Sequence, residues 1–342
     1  MKKIFLLMLV VFALVLSACS AQQPAKPEPQ EAPAVQTEQP QETTEPQEVP
    51  EEPAEPEPEE EPEPEELTKE QEILQDRTVF SAQFEPAEGY NAVRRTIDHY
   101  YDKDAMEKSL TFMYDNDVMM DYASSNLYNL EEQGLPLDKM EQVEQDGQTV
   151  YFYDGGSEIL GMTQVGNYLF GLDYMRGEGN TDRSMVDETV KTLKFGEFEP
   201  LIENDQELGG IRYQLDESLN LVSDSSIQMV NADGTNNRKS MTWRYGENSD
   251  SLDFSLMIRV VYNAKLEDEL NESTTYEDGT LLDLPCKIRT ADDDGRPIEY
   301  FIQKGDDVYI IKNLGKSGIV VIRTDESKDA FDKLVESLSF AE

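Results

Sequence analysis

Short sequence blocks recur in the same order in the two halves of the chain. The segment 151–159 aligns with 300–308 at an offset of 149 residues, and 186–195 aligns with 331–340 at an offset of 145. Matched blocks in one order predict an internal duplication whose halves join near Pro200. Shorter matches in front of these blocks are Leu135-Pro136 with Leu284-Pro285 and 146–148 with 294–296.

The residue pattern inside the blocks predicts strands followed by a helix. Asp-Gly pairs precede aromatic runs, and Gly tolerates the positive φ of a tight hairpin turn. Residues 168–175 alternate with a period of two, which predicts a pleated strand with one buried face. In 186–195 and 331–340 the apolar residues fall at i, i+4 and i+7, the spacing of an amphipathic helix. Ser184 marks a helix start, and we expect Phe195 and Phe340 to enter the core.

The remaining pattern completes an α+β prediction. A helix is expected between Asp115 and Gly134, and strands are expected in the second half. We therefore expect two similar modules, 67–199 and 200–342, each an antiparallel sheet with packed helices. The strand-like segments of the second half are 211–215, 240–245 and 252–262.

The order of these elements, with the ending Ser337-Leu338-Ser339-Phe340, resembles the small modules related to the photosystem protein PsbP and to Mog1. Many Gram-positive lipoproteins carry such modules. The resemblance implies a binding or assembly factor rather than an enzyme. It supplies no site residues that transfer to this chain.

Residues 20–66 have a composition that opposes folding. They hold twelve of the 17 prolines and sixteen glutamates, but only one lysine and no aromatic residue. Such a segment buries too little apolar surface to offset its conformational entropy, and Glu-Pro pairs favour extended polyproline conformations. Residues 19–66 are therefore predicted to be a disordered acidic tether carrying the lipidated Cys19.

The first 18 residues read as a cleaved signal peptide. Lys2 and Lys3 precede an apolar run from Ile4 to Leu16, which is shorter than the roughly 20 residues of a membrane-spanning helix. The sequence Leu16-Ser17-Ala18-Cys19 then resembles the bacterial lipobox. This resemblance implies cleavage before Cys19 and a diacylglycerol on its sulfur, with the protein held on the extracytoplasmic face of the cell membrane.

Charge and cysteine content narrow the classes of function. Signal and tether contribute +2 and −15 to the net charge of −43, which leaves −30 for residues 67–342. This negative charge disfavours the binding of nucleic acids and of anionic lipid headgroups, so contact with the membrane is expected through the acyl anchor alone. Because Cys286 is the only cysteine after Cys19, no disulfide within the mature chain is possible, and a buried apolar role is expected for it.

The sequence offers few candidates for catalysis or metal binding. His99 is the only histidine, so sites built on several imidazoles are excluded, and a structural role is expected for it. Gly315-Lys316-Ser317 is similar to the end of a phosphate-binding loop, but Ile310 stands where that motif has its first glycine. We therefore expect a turn between strands here. The acidic clusters have no EF-hand spacing and are expected in turns and on the solvated surface. They are Asp115 with Asp117 and Asp121, Asp292-Asp293-Asp294, and Asp306-Asp307.

These observations predict a membrane-anchored extracytoplasmic lipoprotein that binds an envelope protein or a small ligand, without catalytic residues, cofactor or metal. Two alternatives remain open. One is a carboxylate-dependent cell-wall hydrolase, because paired carboxylates are defined by their separation in space. The other is an accessory binding subunit of an envelope transporter.

The lipobox generates a direct test. Cys19→Ala removes the sulfur that would carry the diacylglycerol, so the protein should leave the membrane fraction or accumulate as an uncleaved precursor. Cell fractionation with immunoblotting measures both outcomes. Normal processing with full membrane retention would contradict the lipoprotein prediction.

Overall fold

The computed structural model describes residues 69–177, 182–198, 207–291, 294–316 and 321–341. All of them belong to one compact unit. The elements of the first half are α1 Lys69–Gln75, β1 Thr78–Val79, β2 Ala82–Gln83, β3 Ala92–Tyr100, β4 Ala105–Met113, β5 Met119–Ser125, two 3₁₀ helices Leu130–Gln133 and Leu137–Lys139, β6 Glu141–Gln145, β7 Gln148–Asp154, β8 Glu158–Val165, β9 Tyr168–Met175, α2 Ser184–Thr192 and β10 Lys194–Phe195.

The second half repeats this order of elements. Its elements are β11 Glu207–Leu208, β12 Ile211–Arg212, β13 Leu221–Asn231, β14 Asn236–Asn248, β15 Ser251–Val261, α3 Leu266–Glu269, β16 Glu277–Leu281, β17 Leu284–Thr290, β18 Pro297–Lys304, β19 Asp307–Gly315, α4 Asp325–Ser337 and β20 Ser339–Phe340. The strand predicted in 240–245 is confirmed within β14, and that in 252–262 is confirmed as β15 up to Val261. Of the strand predicted in 211–215, only Ile211–Arg212 forms one, β12. The junction near Pro200 lies outside the described residues.

A single antiparallel sheet of 14 strands forms the body of the described structure. Its order is β16-β17-β18-β19-β15-β14-β13-β3-β4-β5-β9-β8-β7-β6, so the two halves run outward from a central β13–β3 pair with the same neighbours. Two small sheets, β1-β2-β10 and β11-β12-β20, are equivalent in the same way. The predicted α+β class, with a separate sheet and packed helices in each module, is therefore wrong. Pairing β3 with β13 satisfies the backbone groups that two separate sheets would leave unpaired at their inner edges.

The alignment between the halves is correct for one block and wrong for the others. The segments 186–195 and 331–340 occupy the same place, because they form α2 with β10 and α4 with β20. Tyr151 lies in β7, however, whereas Tyr300 lies in β18, the counterpart of β8. The offset of 149 thus pairs neighbouring strands of one meander. Short turn-plus-aromatic blocks recur in every such strand, so they do not fix which strand is equivalent to which.

The Asp-Gly matches show the same displacement by one strand. Asp146 and Gly147 form the β6–β7 turn with φ of 48° and 76°, the positive values that a two-residue hairpin turn requires. Asp294 and Gly295 instead lie between β17 and β18. The Leu135-Pro136 match also fails, because these residues lie between the 3₁₀ helices while Leu284 begins β17.

The helix expected between Asp115 and Gly134 is absent from this described segment, which forms β5 and a 3₁₀ helix. Strand β5 pairs with β4 on one side and β9 on the other, so its hydrogen bonds come from the ladder. Met120 and Tyr122 are fully buried on one face of the strand. Tertiary pairing therefore overrides the helical spacing of the apolar residues. Gly134 does end the 3₁₀ helix, in a left-handed conformation with φ of 66°.

Both long helices cover the same face of the sheet. Helix α2 begins at Ser184, as predicted, and buries Val186 and Val190 in the first core. Helix α4 begins after Thr324, whose side chain accepts the backbone N–H of Ser327 at 3.2 Å. The first core includes Leu110, Phe112, Tyr122 and Phe170, and α4 adds Phe331 and Leu334 to a second core with Trp243, Ile258 and Ile311.

A buried ion pair fastens the start of the described chain to the sheet. Asp76, directly after α1, lies 2.6 Å from the Lys108 ammonium of β4, and the two side chains are 2% and 0% exposed. Asp76 also accepts the backbone N–H of Thr78 at 3.1 Å. Burial lowers the pKa of Lys108, while the neighbouring Asp76 carboxylate opposes that shift. Removing one partner would leave an uncompensated buried charge, which typically costs about 3–5 kcal/mol.

Two phenylalanines near the C-terminus differ in how deeply they are buried in the second core. Phe331 is fully buried, whereas Phe340 is only partly buried, beside Tyr309 and Lys304. Phe331→Ala should therefore lower the free energy of unfolding by about 3–5 kcal/mol. The matched variant Phe340→Ala should cost clearly less. Denaturant titration of the mature protein measures both values, and an equal or larger loss at Phe340 would contradict this packing.

Candidate functional site

The sheet has two unlike faces. Successive side chains of a strand point to opposite faces, and Val93, Phe112 and Trp243 lie in the cores beneath α2 and α4. We call this the helical face. The opposite, open face carries the alternate residues, such as Thr96 of β3 and Ser109 of β4.

Two loop segments pack on the outer parts of the open face. Residues 130–140 place Leu130 against Met162 and Leu169 in the first half. Residues 264–276 cover Phe301 and its neighbours at the corresponding place in the second half. Between these loops, strands β4, β3, β13 and β14 have polar and apolar side chains that are only half-buried. These include Thr96, Ser109, Ile227, Met229, Thr242 and Arg244.

Five carboxyl groups share the open face in the first half. The strand ladder sets Asp98 opposite Glu107 and Asp121 opposite Asp173, and Glu158 follows on β8. We call Asp98, Glu107, Asp121, Glu158 and Asp173 the acidic cluster. No three His, Cys, Asp or Glu side chains in the described ranges are arranged to hold a metal ion.

Two members of the acidic cluster have cationic neighbours. Burial raises the pKa of Asp98, and Arg244, whose Nη1 lies 3.6 Å from Asp98 Oδ1, opposes that rise. Burial also raises the pKa of Asp121. The Thr111 hydroxyl donates to Asp121 Oδ1 at 2.5 Å, and this hydrogen bond and the Arg94 charge lower the pKa. Both carboxyls are therefore partly compensated within the chain.

The other two shifted carboxyls lie next to like charges. Burial, followed by repulsion from Asp98 and Asp121, raises the pKa of Glu107 to about 8. Burial also raises the pKa of Asp173, which is 7% exposed, and Glu158 and Asp121 raise it further. The pKa values of both carboxyls are therefore shifted upward, because burial and neighbouring carboxyls disfavour their ionised forms.

The second half presents basic residues on the open face, two of them at positions that match members of the acidic cluster. Tyr168 begins β9 and Asp307 begins β19, and each of these strands is the second strand of its hairpin. Asp173 and Lys312 each lie five residues after that start, so they occupy equivalent places in the two halves. The strand pairs lead from Asp173 to Thr111 of β4 and from Lys312 to Thr242 of β14. Glu107 and Arg238 each lie four residues before these threonines, so they are counterparts. We call Arg238, Arg244, Arg259, Arg289 and Lys312 the basic set. At two equivalent positions of the open face, the first half therefore has a carboxyl, Asp173 or Glu107, where the second half has a cationic side chain, Lys312 or Arg238.

His99 lies at the junction of the halves, on the helical face. Its Nδ1 is 2.8 Å from Asp224 Oδ1, and the Tyr101 hydroxyl donates to Asp224 Oδ2 at 2.5 Å. The hydrogen bond with Asp224 raises the pKa of His99, and burial opposes that rise. Because His99 and Asp224 are paired residues of β3 and β13, this contact links the two halves. It agrees with the structural role expected for this histidine.

Other sequence candidates occupy structural positions. Cys286 is 3% exposed in the second core, and burial raises the pKa of its thiol. Gly315 ends β19, and Lys316 forms a bridge with Ile322, so the segment belongs to a strand end. Ser317 lies outside the described residues.

The acidic clusters expected in turns have mixed outcomes. Asp117 lies in a turn with φ of 59°, and Asp307 begins a hairpin strand. Asp121 instead lies on β5 in the acidic cluster, so the expectation of a solvated turn is wrong for it. Asp294 pairs with the Lys328 ammonium at 2.8 Å. Asp292 and Asp293 lie outside the described residues.

The predicted anchor also lies outside the described part of the chain. Neither the signal residues 1–18 nor Cys19 and the tether 19–66 are described. Among the helices of the described residues, none has the length and apolar character needed to cross a membrane.

Comparisons with known proteins add little to this geometry. No family model and no curated protein matches the chain. A solved MucA/MucB complex from Pseudomonas aeruginosa matches with 8% identity and a TM-score of 0.18, covering 74% of this chain and 94% of that one. A structure of MucB in complex with MucA(peri) matches with 7% identity and a TM-score of 0.16, at the same coverage. TM-scores this low do not establish a shared fold.

The charge environment of Asp173 predicts that the stability of the folded protein depends on pH in an unusual way. A carboxyl whose pKa is raised on folding is stable as its acid, so its contribution to stability is full below about pH 4 and is lost as pH rises through the raised pKa. Asp173→Asn should therefore stabilise the protein by roughly 1–3 kcal/mol at pH 9 and much less at pH 4.

Asp216 is the matched control, because its pKa is shifted downward rather than upward. The Lys333 ammonium at 2.6 Å holds the pKa of Asp216 at about 2, so its stabilisation is present above about pH 4 and is lost on acidification through that value. Asp216→Asn should then destabilise the protein at neutral pH. Denaturant unfolding across the pH range measures both variants. An Asp173→Asn protein that is less stable than the parent at pH 9 would contradict the site description.

Proposed function

We propose that the chain is a lipid-anchored extracytoplasmic protein that binds a partner on the open face of its sheet and performs no catalysis. The observation that carries this proposal is the central part of that face. There, between the two covering loops, strands β3, β4, β13 and β14 present half-buried charged and apolar side chains. The anchoring part rests on the lipobox and the acidic tether.

The chemistry of the open face supports binding. Isolated exposed charges are ordinary, but a sheet face that combines Met and Ile side chains with charged groups is suited to a partner that supplies matching groups. Met229 and Ile227 lie between the acidic cluster and the basic set. Opposite charge at the two ends of one surface orients a partner and favours one register over the reverse.

The shifts within the acidic cluster favour binding over hydrolysis. A carboxylate hydrolase needs one carboxyl that holds its proton and another that is ionised, so their environments must move the two pKa values apart. In the acidic cluster, Asp98, Glu107, Asp121 and Asp173 all have pKa values shifted upward. Among these four groups, the common direction does not separate an acid from a nucleophile.

Site-specific photo-crosslinking tests the proposed binding surface. A photoreactive residue at Thr96, in the middle of the open face, should give an adduct of defined mass in intact cells. The same residue at Glu188, exposed on α2 of the helical face, is the matched control and should give none. Loss of the Thr96 adduct in an Asp121→Asn/Asp173→Asn background would tie it to the acidic cluster.

The result that would contradict the proposal is equally specific. If Thr96 gives no adduct while Glu188 gives one, the partner binds the helical face and the open face is not the site. Membrane-anchored wild-type protein should be used in both arms, because the anchor sets where the protein meets its partner.

A further inference from the structure

A loop and a hairpin turn occupy equivalent places in the two halves. In the first half, the loop after β5 lies beside the β8–β9 turn, and in the second half the loop after β15 lies beside the β18–β19 turn. A glutamine fixes the end of each loop. Gln164 Oε1 of β8 accepts the backbone N–H of Leu130 at 3.0 Å. Gln303 Oε1 of β18 accepts the backbone N–H of Leu266 at 2.8 Å, so the two arrangements correspond residue by residue.

In the second half the loop closes directly on the turn. The backbone N–H of Ala264 donates to the Asp306 carbonyl at 2.9 Å, and Gln303 Nε2 donates to the Ala264 carbonyl at 3.1 Å. The backbone N–H of Asn263 also donates to Asp307 Oδ1 at 3.2 Å. These three hydrogen bonds hold the loop against the turn.

In the first half the same place is open. Tyr128 stands where the second half has Ala264, two residues before the leucine whose N–H the glutamine binds. Among the residues that the structure describes, none of the three closing bonds has a counterpart here, and the Leu127 N–H donates to Ser125 Oγ at 3.1 Å instead. A cleft of about 360 Å³ separates the loop from the turn, a volume within the range of small-molecule sites.

The side chains that line this cleft are polar, and most of them are neutral. They include Asn126, Tyr128, Asn129, Glu132, Gln164 and Asn167. No Lys, Arg or His of the described ranges lines it. Because four of these side chains are carboxamides, we call the space the amide cleft.

Two of the asparagines present oriented hydrogen-bond donors. Asn126 Oδ1 accepts the backbone N–H of Met106 at 2.7 Å, and Asn129 Oδ1 accepts the backbone N–H of Glu131 at 2.9 Å. These bonds fix which end of each carboxamide is the oxygen. The Nδ2 atoms of both side chains then have no hydrogen-bond partner within the described part of the chain. Each supplies two N–H donors that suit the oxygens of a ligand.

We propose that the amide cleft binds a neutral saccharide. Carboxamides donate and accept hydrogen bonds at once, as sugar hydroxyls do, so they pair well with neighbouring hydroxyls of a pyranose ring. The Tyr128 ring, 40% exposed, offers a flat apolar surface for the C–H face of such a ring. Anionic ligands fit less well, because the lining has the Glu132 carboxylate and no described cation.

This inference goes beyond the proposed binding role of the open face. The amide cleft includes no member of the acidic cluster and no residue of the central strands β3, β4, β13 and β14. It rests on the difference between the two halves at one loop, so it stands or fails separately.

Saturation-transfer difference NMR tests the amide cleft with two neutral trisaccharides, maltotriose and tri-N-acetylchitotriose. Each is titrated into the mature lipoprotein in a non-ionic detergent, and the growth of the signal with sugar concentration gives the Kd. At least one should bind, and its Kd should change less than about twofold when the NaCl concentration is raised about tenfold, because salt screens only charged groups. Preference for tri-N-acetylchitotriose would assign the amide groups to acetamido recognition, and preference for maltotriose to hydroxyl recognition.

Matched variants connect binding to the cleft. Asn126→Asp/Asn129→Asp keeps both acceptor oxygens but removes the amide donors, so it should weaken binding about tenfold. Asn248→Asp/Asn271→Asp is the control, because these asparagines also accept backbone N–H groups, at 3.1 and 2.9 Å, and lie outside the cleft. It makes the same change of charge and should alter the Kd less than about twofold.

Tyr128→Ala supplies a second, independent variant. It introduces the residue that the second half has at this place and removes the ring, so affinity should fall about fivefold. Tyr153→Ala changes a tyrosine of similar exposure on β7 and should leave the Kd unchanged. Thermal unfolding of each variant separates lost binding from lost folding, and Tyr128→Ala keeps the test valid if the double Asp variant fails to fold.

Three results would overturn the proposal. The first is that neither trisaccharide binds the wild type. The second is that the cleft variants and their controls bind equally well. The third is binding that weakens steeply with salt, which would indicate an ionic contact. In each case a persisting Thr96 adduct would show that the open face still binds a partner, so the failure of the saccharide assignment is distinguishable from failure of the proposed function.

Discussion

Pairing of β3 with β13 is the constraint on which the rest of the structure depends. Nine residue pairs, from Ser223 with Tyr100 to Asn231 with Ala92, join the halves in one antiparallel ladder. Without this ladder both strands would be edges with unpaired N–H and C=O groups, which favour association with other chains. The contact between His99 and Asp224 adds a side-chain link within the same ladder.

One continuous sheet has consequences for both of its faces. Because the ladder keeps the residue alternation in phase across the junction, α2 and α4 cover the same side and the open face extends through both halves. Equivalent positions then diverge in charge on that face, from Asp173 to Lys312 and from Glu107 to Arg238. Similar backbones therefore present a carboxyl in one half and a cationic side chain in the other at these positions, an asymmetry that would favour one orientation of a partner.

Local pattern predicted some of this structure and missed what depends on distant strands. The i, i+4, i+7 spacing located α2 and α4, and the alternation in 168–175 located β9. The β3–β13 pairing has no local signature, so the single sheet was missed, and β5 carried a misleading helical spacing. The acidic cluster draws on five strands, and its sequence signals were Asp121, among the acidic residues noted after Asp115, and Asp173 within an otherwise apolar run. Lipidation of Cys19, the disordered tether and the module boundaries stay predictions.

Native-state hydrogen exchange of the mature protein tests the continuous sheet most directly. Amides of β3 and β13 that bond across the junction should exchange only through global unfolding, with the same free energy as the inner amides of β4 and β14. Such values would show that the two halves unfold as one sheet. Fast exchange at the β3–β13 ladder, while β4 and β14 stay protected, would contradict the account, because the halves would then separate and the open face would not be one surface.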